Sequence, residues 1–291
     1  MSYFKLLGFE KEPFSTSPDP DFFYLSQAHD GALTNALIEL RLHRGMSVIL
    51  GDVGTGKTTL SRKLVRCLKE RGDFVFHMVL DPSFENEDVL LSYLIKNFEI
   101  EADRYKDRGD SAGGLSTVLE RKETLERFLY QKTIIESKTV VLIIDEAQKL
   151  SAATMEMLRV LLNYETNENK LLQLVLLGQL ELHSKIMNIP NFFDRISFKY
   201  TLNPLGYQET RDMIHFRIRQ AGYRGASHLF LNEAIEIIHR VSKGYPRKTT
   251  MLCHRALKHL VMKKKWAVDE NVVREIVDED IRSGWLIPTL Q

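Results

Sequence analysis

Residues 51–58 read Gly-Asp-Val-Gly-Thr-Gly-Lys-Thr and fit G-x-x-x-x-G-K-S/T without a gap. What flanks this pattern makes it a constraint on the fold. Met46 to Leu50 is a short apolar run, as a buried strand requires, and Thr58 to Arg71 carries Leu60, Leu64, Cys67 and Leu68 at helical spacing. Strand, glycine loop and helix is the context of a phosphate-binding loop. The glycines let the backbone curl so that several N–H groups face one phosphate chain. The helix N-terminus adds its partial positive charge there. The stretch Gly51, Asp52, Val53, Gly54, Thr55, Gly56, Lys57, Thr58 and Thr59 is therefore expected to hold a nucleoside triphosphate. Lys57 would reach the outer phosphates, and the Thr58 hydroxyl would ligate Mg²⁺.

A second stretch supplies what hydrolysis needs. Thr139 to Ile144 is almost wholly apolar, which suits a central parallel strand buried on both faces. It ends in Asp145-Glu146. A carboxylate at the tip of a core strand can hold Mg²⁺, and the next carboxylate can polarise an attacking water. An acidic pair after an apolar strand also arises by chance. Together with the upstream loop, however, it points to a chain that hydrolyses ATP.

Composition frames the reading without deciding it. Forty basic and thirty-nine acidic side chains give a net charge of +1, so no global electrostatic argument for nucleic acid follows. Cys67 and Cys253 lie in separate predicted helices without metal-type spacing, as buried thiols of a reducing compartment would. The histidines show no H-x-x-x-H pattern, which argues against zinc. Met1 to Phe9 lacks the apolar core of a signal peptide, and no apolar run approaches the ~20 residues that span a bilayer. A cytoplasmic location is expected.

The chain has three expected parts. Residues 1–45 hold an arm and a helix packed on the core. Pro13, Pro18 and Pro20 keep residues 1–20 out of regular helix, favouring an extended segment laid over a domain surface. A helix then runs from about His29 to Arg44, stopped by Gly45. Residues 46–203 alternate strands and helices. Strands are expected at Met46–Leu50, Phe74–Leu80, Thr139–Ile144, Leu171–Leu177 and Ser197–Leu202. Helices are expected at Asn86–Phe98, with Val89, Tyr93 and Leu94 inward, at Leu115–Glu136, and at Ser151–Tyr164 behind a Ser151 cap. Glu101 to Gly114 reads as a surface loop. The fold class that follows is α/β: a doubly wound, parallel five-stranded sheet. Residues 204–291 read as helices alone, a lid at Gln208–Ala221, Asn232–Val241, Arg247–Lys263 and Asp269–Ile281. Its second helix is expected to turn Ala234, Ile237 and Val241 inward.

With these pieces placed, the chain resembles AAA+ ATPases of the ExeA/GspA type, associated with bacterial type II secretion and pilus assembly. The resemblance rests on Pro13-Phe14 with Pro18-Asp19-Pro20, the loop Gly51 to Thr59, Asp145-Glu146-Ala147-Gln148, Gly178-Gln179 with Glu181-Leu182, Asp194-Arg195-Ile196, and Gly244 with Pro246-Arg247. Leu180 stands where the family pattern leads one to expect proline. With its end at Gln291, the chain is expected to lack the transmembrane segment and cell-wall-binding domain of many secretion-type relatives, which argues against a direct envelope role. Related ATPases that assist DNA transposition share the same core.

The resemblance implies further roles. Gln179 would sit beside the γ-phosphate and orient water, and Arg247 would touch the nucleotide from the lid. Arg195 would be the arginine finger inserted into a neighbouring subunit, with Arg159, Arg211 and Arg217 as other candidates. The catalytic set implied is thus Glu146, Lys57, Gln179, Arg195 and Arg247, with Thr58 and Asp145 on the metal and ATP and Mg²⁺ as cofactors. The chain would self-associate as a ring or filament. A protein partner of a secretion or pilus system is favoured over DNA, with recruitment to the inner membrane by that partner as a further expectation. A DNA-associated ATPase of transposition or recombination is the alternative. A nucleotide kinase is disfavoured, because no phosphate-acceptor site stands out. Lys263-Lys264-Lys265 with Trp266 reads more readily as a solvated helix end than as a nucleic-acid contact. Phe22-Phe23-Tyr24 reads as packing.

Overall fold

The computed structural model describes residues 2–101, 117–167, 169–223, 225 and 229–284. In chain order the first elements are α1 (Tyr3–Leu6), α2 (Gln27–Arg41), β1 (Met46–Gly51), α3 (Lys57–Lys69), β2 (Phe74–Val79), α4 (Glu87–Asn97) and α5 (Val118–Tyr130). Then come β3 (Thr139–Ile144), α6 (Ala152–Leu161), β4 (Leu172–Gly178), α7 (Glu181–Met187), α8 (Pro190–Phe193) and β5 (Ile196–Leu202). The last four are α9 (Tyr207–Gln220), α10 (Asn232–Ser242), α11 (Pro246–Met262) and α12 (Glu270–Arg282). Contacts divide the chain into two compact units: residues 28–53 with 60–202, and residues 1–27 with 54–59 and 203–291.

The first unit is built on a five-stranded sheet ordered β2-β3-β4-β1-β5, with every pairing parallel. β1, β3 and β4 are buried along their whole length, as continuous apolar runs demand. β2 and β5 are the edges and are partly exposed. The core joins Val140, Leu142 and Ile144 of β3 to Leu174 and Leu176 of β4, Leu90, Leu91 and Leu94 of α4, and Leu125, Phe128 and Leu129 of α5. Val89 faces the other way at 40% exposure, so the inward stripe of α4 lies one residue later than its spacing suggested. α5 is shorter than expected because its last turn widens into a π-helix at Gln131–Ile135, where the Thr133 hydroxyl donates to the Leu171 carbonyl at 3.1 Å. α2 also stops early, at Arg41 rather than Arg44, and His43 takes a left-handed φ of 51°. Of the expected loop Glu101–Gly114, only Glu101 is among the described residues.

The second unit packs α9 to α12 around Ile214, Ile218, Ile235, Ile238, Leu257, Leu260, Val272 and Ile276. In α10 the fully buried residues are Ala234, Ile235, Ile238 and Ser242, while Ile237 and Val241 sit partly buried at the edge of the cluster. The N-terminal arm is part of this core, not a segment laid over a surface. Phe9, Phe14 and Phe22 are buried in it, with Phe14 edge-on to Phe230 at 5.7 Å. The arm also has short regular pieces, α1 and a 3-10 turn at Pro20–Phe22. Residues 1–27 therefore group with the C-terminal helices, where the sequence had placed them on the sheet domain.

The turn between α10 and α11 packs closely on Leu205. Leu205 N–H donates to the Gly244 carbonyl at 2.9 Å, and Gly244 has φ +72°. A Cβ added at Gly244 would lie 2.0 Å from the Leu205 oxygen, whereas one at Gly8 (φ +84°) would meet nothing within 4 Å. Gly8→Ala is therefore expected to cost only the left-handed penalty, about 1–2 kcal/mol. Gly244→Ala adds a backbone clash and should cost on the order of 3 kcal/mol or more. Urea unfolding of the two variants measures the difference, and equal losses would refute the close-approach argument.

Candidate functional site

The glycine loop leaves the C-terminal end of β1, and α3 begins at Lys57. Gly54 and Gly56 take φ values of 87° and 102°, which turn the chain as side-chain-bearing residues rarely can. Thr55 and Lys57 are buried, Thr58 and Thr59 are half-buried, and Asp52 and Val53 are exposed. α3 has no acidic residue in its first turn, so its positive end is not internally neutralised by one. Arg247, at the start of α11, meets this loop. Its N–H donates to the Gly54 carbonyl at 3.3 Å, and a Cβ on Gly54 would lie 3.1 Å from the Arg247 Cβ.

The acid pair occupies the matching end of β3. Asp145 is 1% exposed, and its N–H extends the ladder to β2 by donating to the Val79 carbonyl at 2.9 Å. Its Oδ1 accepts from the Glu146 N–H at 2.9 Å. A carboxylate buried this deeply must be hydrogen-bonded or matched by a cation. Glu146 is half-buried and takes a left-handed conformation, φ 51° and ψ 35°, at the head of a 3-10 turn, Ala147–Lys149. Left-handed backbone is costly for glutamate and persists where neighbours fix it.

Those neighbours are two glutamines. Gln148 Nε2 donates to Glu146 Oε2 at 2.6 Å, and its Oε1 accepts from the Gln179 N–H at 3.0 Å. Gln179 Nε2 reaches the same Glu146 oxygen at 3.4 Å. Gln148 thus bridges the strand ends of β3 and β4. Gly178 leaves it space, since a Cβ there would lie 3.3 Å from Gln148 Oε1. The sequence places Gln148 at the end of the Asp145-Glu146-Ala147-Gln148 motif but assigns it no role. The signal available was a polar side chain between Ala147 and Leu150 that turns out buried.

Arg195 is not brought to this end. It precedes β5, at the N-terminal edge of the parallel sheet, while Asp145, Glu146 and Gln179 follow strands at the C-terminal edge. The other arginines sort by their partners. Arg159 binds Glu156 through Nε and Nη2. Arg217 is buried and donates to the carbonyls of Pro13 at 2.8 Å and Ser15 at 2.7 Å, which removes it as a finger. The Arg211 Nε is buried without a partner among the described residues. Lys263 and Lys265 are tied to Glu275 and Asp269. Thr58 and Asp145 offer only hydroxyl and carboxylate oxygens, the donor type that suits Mg²⁺. Among the described residues no group of three or more His, Cys, Asp or Glu side chains is placed to hold a metal. None of the described helices is long and apolar enough to cross a membrane.

Comparison with known proteins adds to this geometry. A family model described as an AAA domain matches residues 40–186. The chain is 35% identical over 257 residues to general secretion pathway protein A of Aeromonas hydrophila, covering 88% of this chain and 44% of that protein. It therefore spans less than half the length of that relative. Its fold is similar to that of Cdc6p from Pyrobaculum aerophilum, with a TM-score of 0.65 at 16% identity over 92% of this chain and 70% of that one. It is also similar to the ORC2 protein of Aeropyrum pernix, with a TM-score of 0.60 at 18% identity over 90% and 68%.

Proposed function

The chain belongs to the AAA family of P-loop ATPases, and from that premise we propose that it binds ATP with Mg²⁺ at Gly51–Thr59 and hydrolyses it at Asp145-Glu146. The observation that carries this reading is the Glu146 carboxylate, held by Gln148 at 2.6 Å beside the buried Asp145. Backbone N–H groups of the loop and the Lys57 ammonium bind the phosphates. Thr58 and Asp145 would hold Mg²⁺, which when bound neutralises charge on the phosphates. Glu146 polarises the attacking water, Gln179 orients it, and Gln148 positions both side chains. Arg247 reads the nucleotide state through its contact with the loop backbone.

The output is mechanical or regulatory and involves an assembly of copies. Because Arg195 lies at the opposite edge of the sheet, it would act on a neighbouring copy in a ring or filament. The partner we favour is a protein of a secretion or pilus system, an assignment supported by the 35% identity to general secretion pathway protein A. The expected location is the cytoplasm, with recruitment to the inner membrane by that partner. A DNA-associated role in transposition or recombination is the alternative. The internal pairing of Lys263 and Lys265 weighs against it, since paired lysines neutralise fewer phosphates. ATP-dependent duplex binding that survives near-physiological salt would make that alternative the primary reading.

Three substitutions separate binding from chemistry. Lys57→Ala should abolish nucleotide binding. Glu146→Gln should bind ATP and turn it over about 10²–10⁴ more slowly. Gln148→Ala should keep its affinity and lose on the order of tenfold in turnover or more, because the glutamate is no longer held in place. Wild-type turnover by Glu146→Gln would overturn the assignment.

Assembly has its own test. Arg195→Ala should bind ATP normally and hydrolyse it poorly. Mixing it with Glu146→Gln should restore part of the activity, because some interfaces then pair an intact Glu146 with an intact Arg195. Turnover by a monomer, independent of protein concentration, would remove the role in trans.

A further inference from the structure

The helical unit carries a concave surface, an open cleft of about 760 Å³ between residues 204–207 and the C-terminal half of α10. Its apolar part is Pro204 and Leu205, and its polar part is Tyr207, His239, Arg240 and Lys243, with Glu236 as the only acid among the described residues that line it. Three of these groups are already engaged. Arg240 donates to Glu236 at 3.0 Å, and His239 Nδ1 lies 3.0 Å from the Thr210 hydroxyl. The Tyr207 ring stands edge-on to His239 at 5.8 Å, and its hydroxyl has no hydrogen-bond partner among the described residues. The Lys243 ammonium likewise has no ion pair or hydrogen bond among them.

Lys243 caps α10 at φ 53° and ψ 31°, the left-handed position that glycine fills without strain. Compensating the helix dipole does not require that residue, since Lys or Arg anywhere in the last turn serves, and Arg240 is already there. A lysine whose ammonium has no partner among the described residues, on the wall of a cleft with aromatic and apolar neighbours, fits an external anion. Small-molecule sites enclose most of their ligand, whereas this cleft is open on one side, which suits a passing chain segment.

We propose that this cleft docks an acidic segment of a protein partner. A carboxylate of that segment pairs with Lys243 and accepts from the Tyr207 hydroxyl, while an adjacent apolar side chain packs on Pro204 and the Tyr207 ring. The position gives docking a consequence. Gly244, next to Lys243, is bonded to Leu205 at 2.9 Å, and Arg247, three residues further on, is bonded to the Gly54 carbonyl at 3.3 Å. An occupant of the cleft therefore bears on the turn that leads to the glycine loop. Only the protein nature of the partner rests on the proposed function.

The test uses the full chain and a fluorescein-labelled peptide in which Glu alternates with Leu and Phe, followed by fluorescence anisotropy. A peptide with Lys in place of Glu is the control. The wild type should bind the acidic peptide and not the basic one. Lys243→Gly should weaken binding by about tenfold while melting at the same temperature or higher, because glycine relieves the left-handed strain. Tyr207→Ala provides a second, independent loss. Unchanged affinity in Lys243→Gly, equal binding of the basic peptide, or no binding of the acidic one overturns the proposal. Basal ATP turnover of Lys243→Gly should equal that of the wild type. If the wild type itself turns over no ATP, the hydrolysis reading fails while the peptide measurement still decides the cleft.

Discussion

β1 lies between β4 and β5, not beside β2, and that placement decides where chemistry can occur. A parallel sheet sends all its strands toward one edge, so the loop after β1 and the acids after β3 leave from the same side. β4 separates them by one strand and contributes Gln179 from its own end. Open α/β sheets place ligands at such edges, where strand order reverses and neighbouring connections part. The apolar run Thr139–Ile144 has no further choice: buried on both faces, it can only be a central strand. Burying it fixes Asp145 at the rim of the core, and the carboxylate inherits a dry environment from the strand that carries it.

In the helical unit a buried cation does comparable work for the arm. Among the described residues Arg217 has no carboxylate within bonding distance. It is satisfied by two arm carbonyls and lies over the rings of Phe14 and Phe22 at 6.0 and 5.7 Å. Burial pulls its pKa down to about 10, which still leaves it charged at neutral pH. Pro13 and Pro18 keep residues 13–18 out of a helix and leave the Pro13 and Ser15 carbonyls available to the guanidinium. The neighbouring Cys253 is fully buried, and desolvation raises its thiol pKa, so it is an inert part of the core.

Much of this was legible in the sequence because it is local. The glycine loop, the acid pair and the alternation of strands and helices are each contained within a short window, and their spacing is set by backbone geometry. The errors are also physical. α4 and α10 contain adjacent apolar residues, and a 3.6-residue period cannot choose between Val89 and Leu90 or between Ile237 and Ile238 without knowing where the sheet or the neighbouring helices lie. The arm's aromatics were visible, but their burial against α9 and α11 is a contact across about two hundred residues of chain. Gln148 illustrates the same limit at the site. Its role is to bridge Glu146 and Gln179, and a bridge between two strand ends exists only once the strands are paired.

Left-handed backbone separates structural from functional strain only when the side chain is considered. His43, Glu99, Ser137, Lys243 and Lys264 share a positive φ with Glu146. Lys243 caps α10, and Lys264 directly follows the C-cap of α11, where reversing the chain is reason enough for the conformation. Glu146 ends no helix. It follows a buried strand, is bonded through its own N–H to Asp145, and has its carboxylate gripped by an amide from the next turn. Removing that grip would leave the backbone strain without a compensating bond. The side chain's fixed direction, and not the φ value, is what marks the position as one where geometry is held for a reaction.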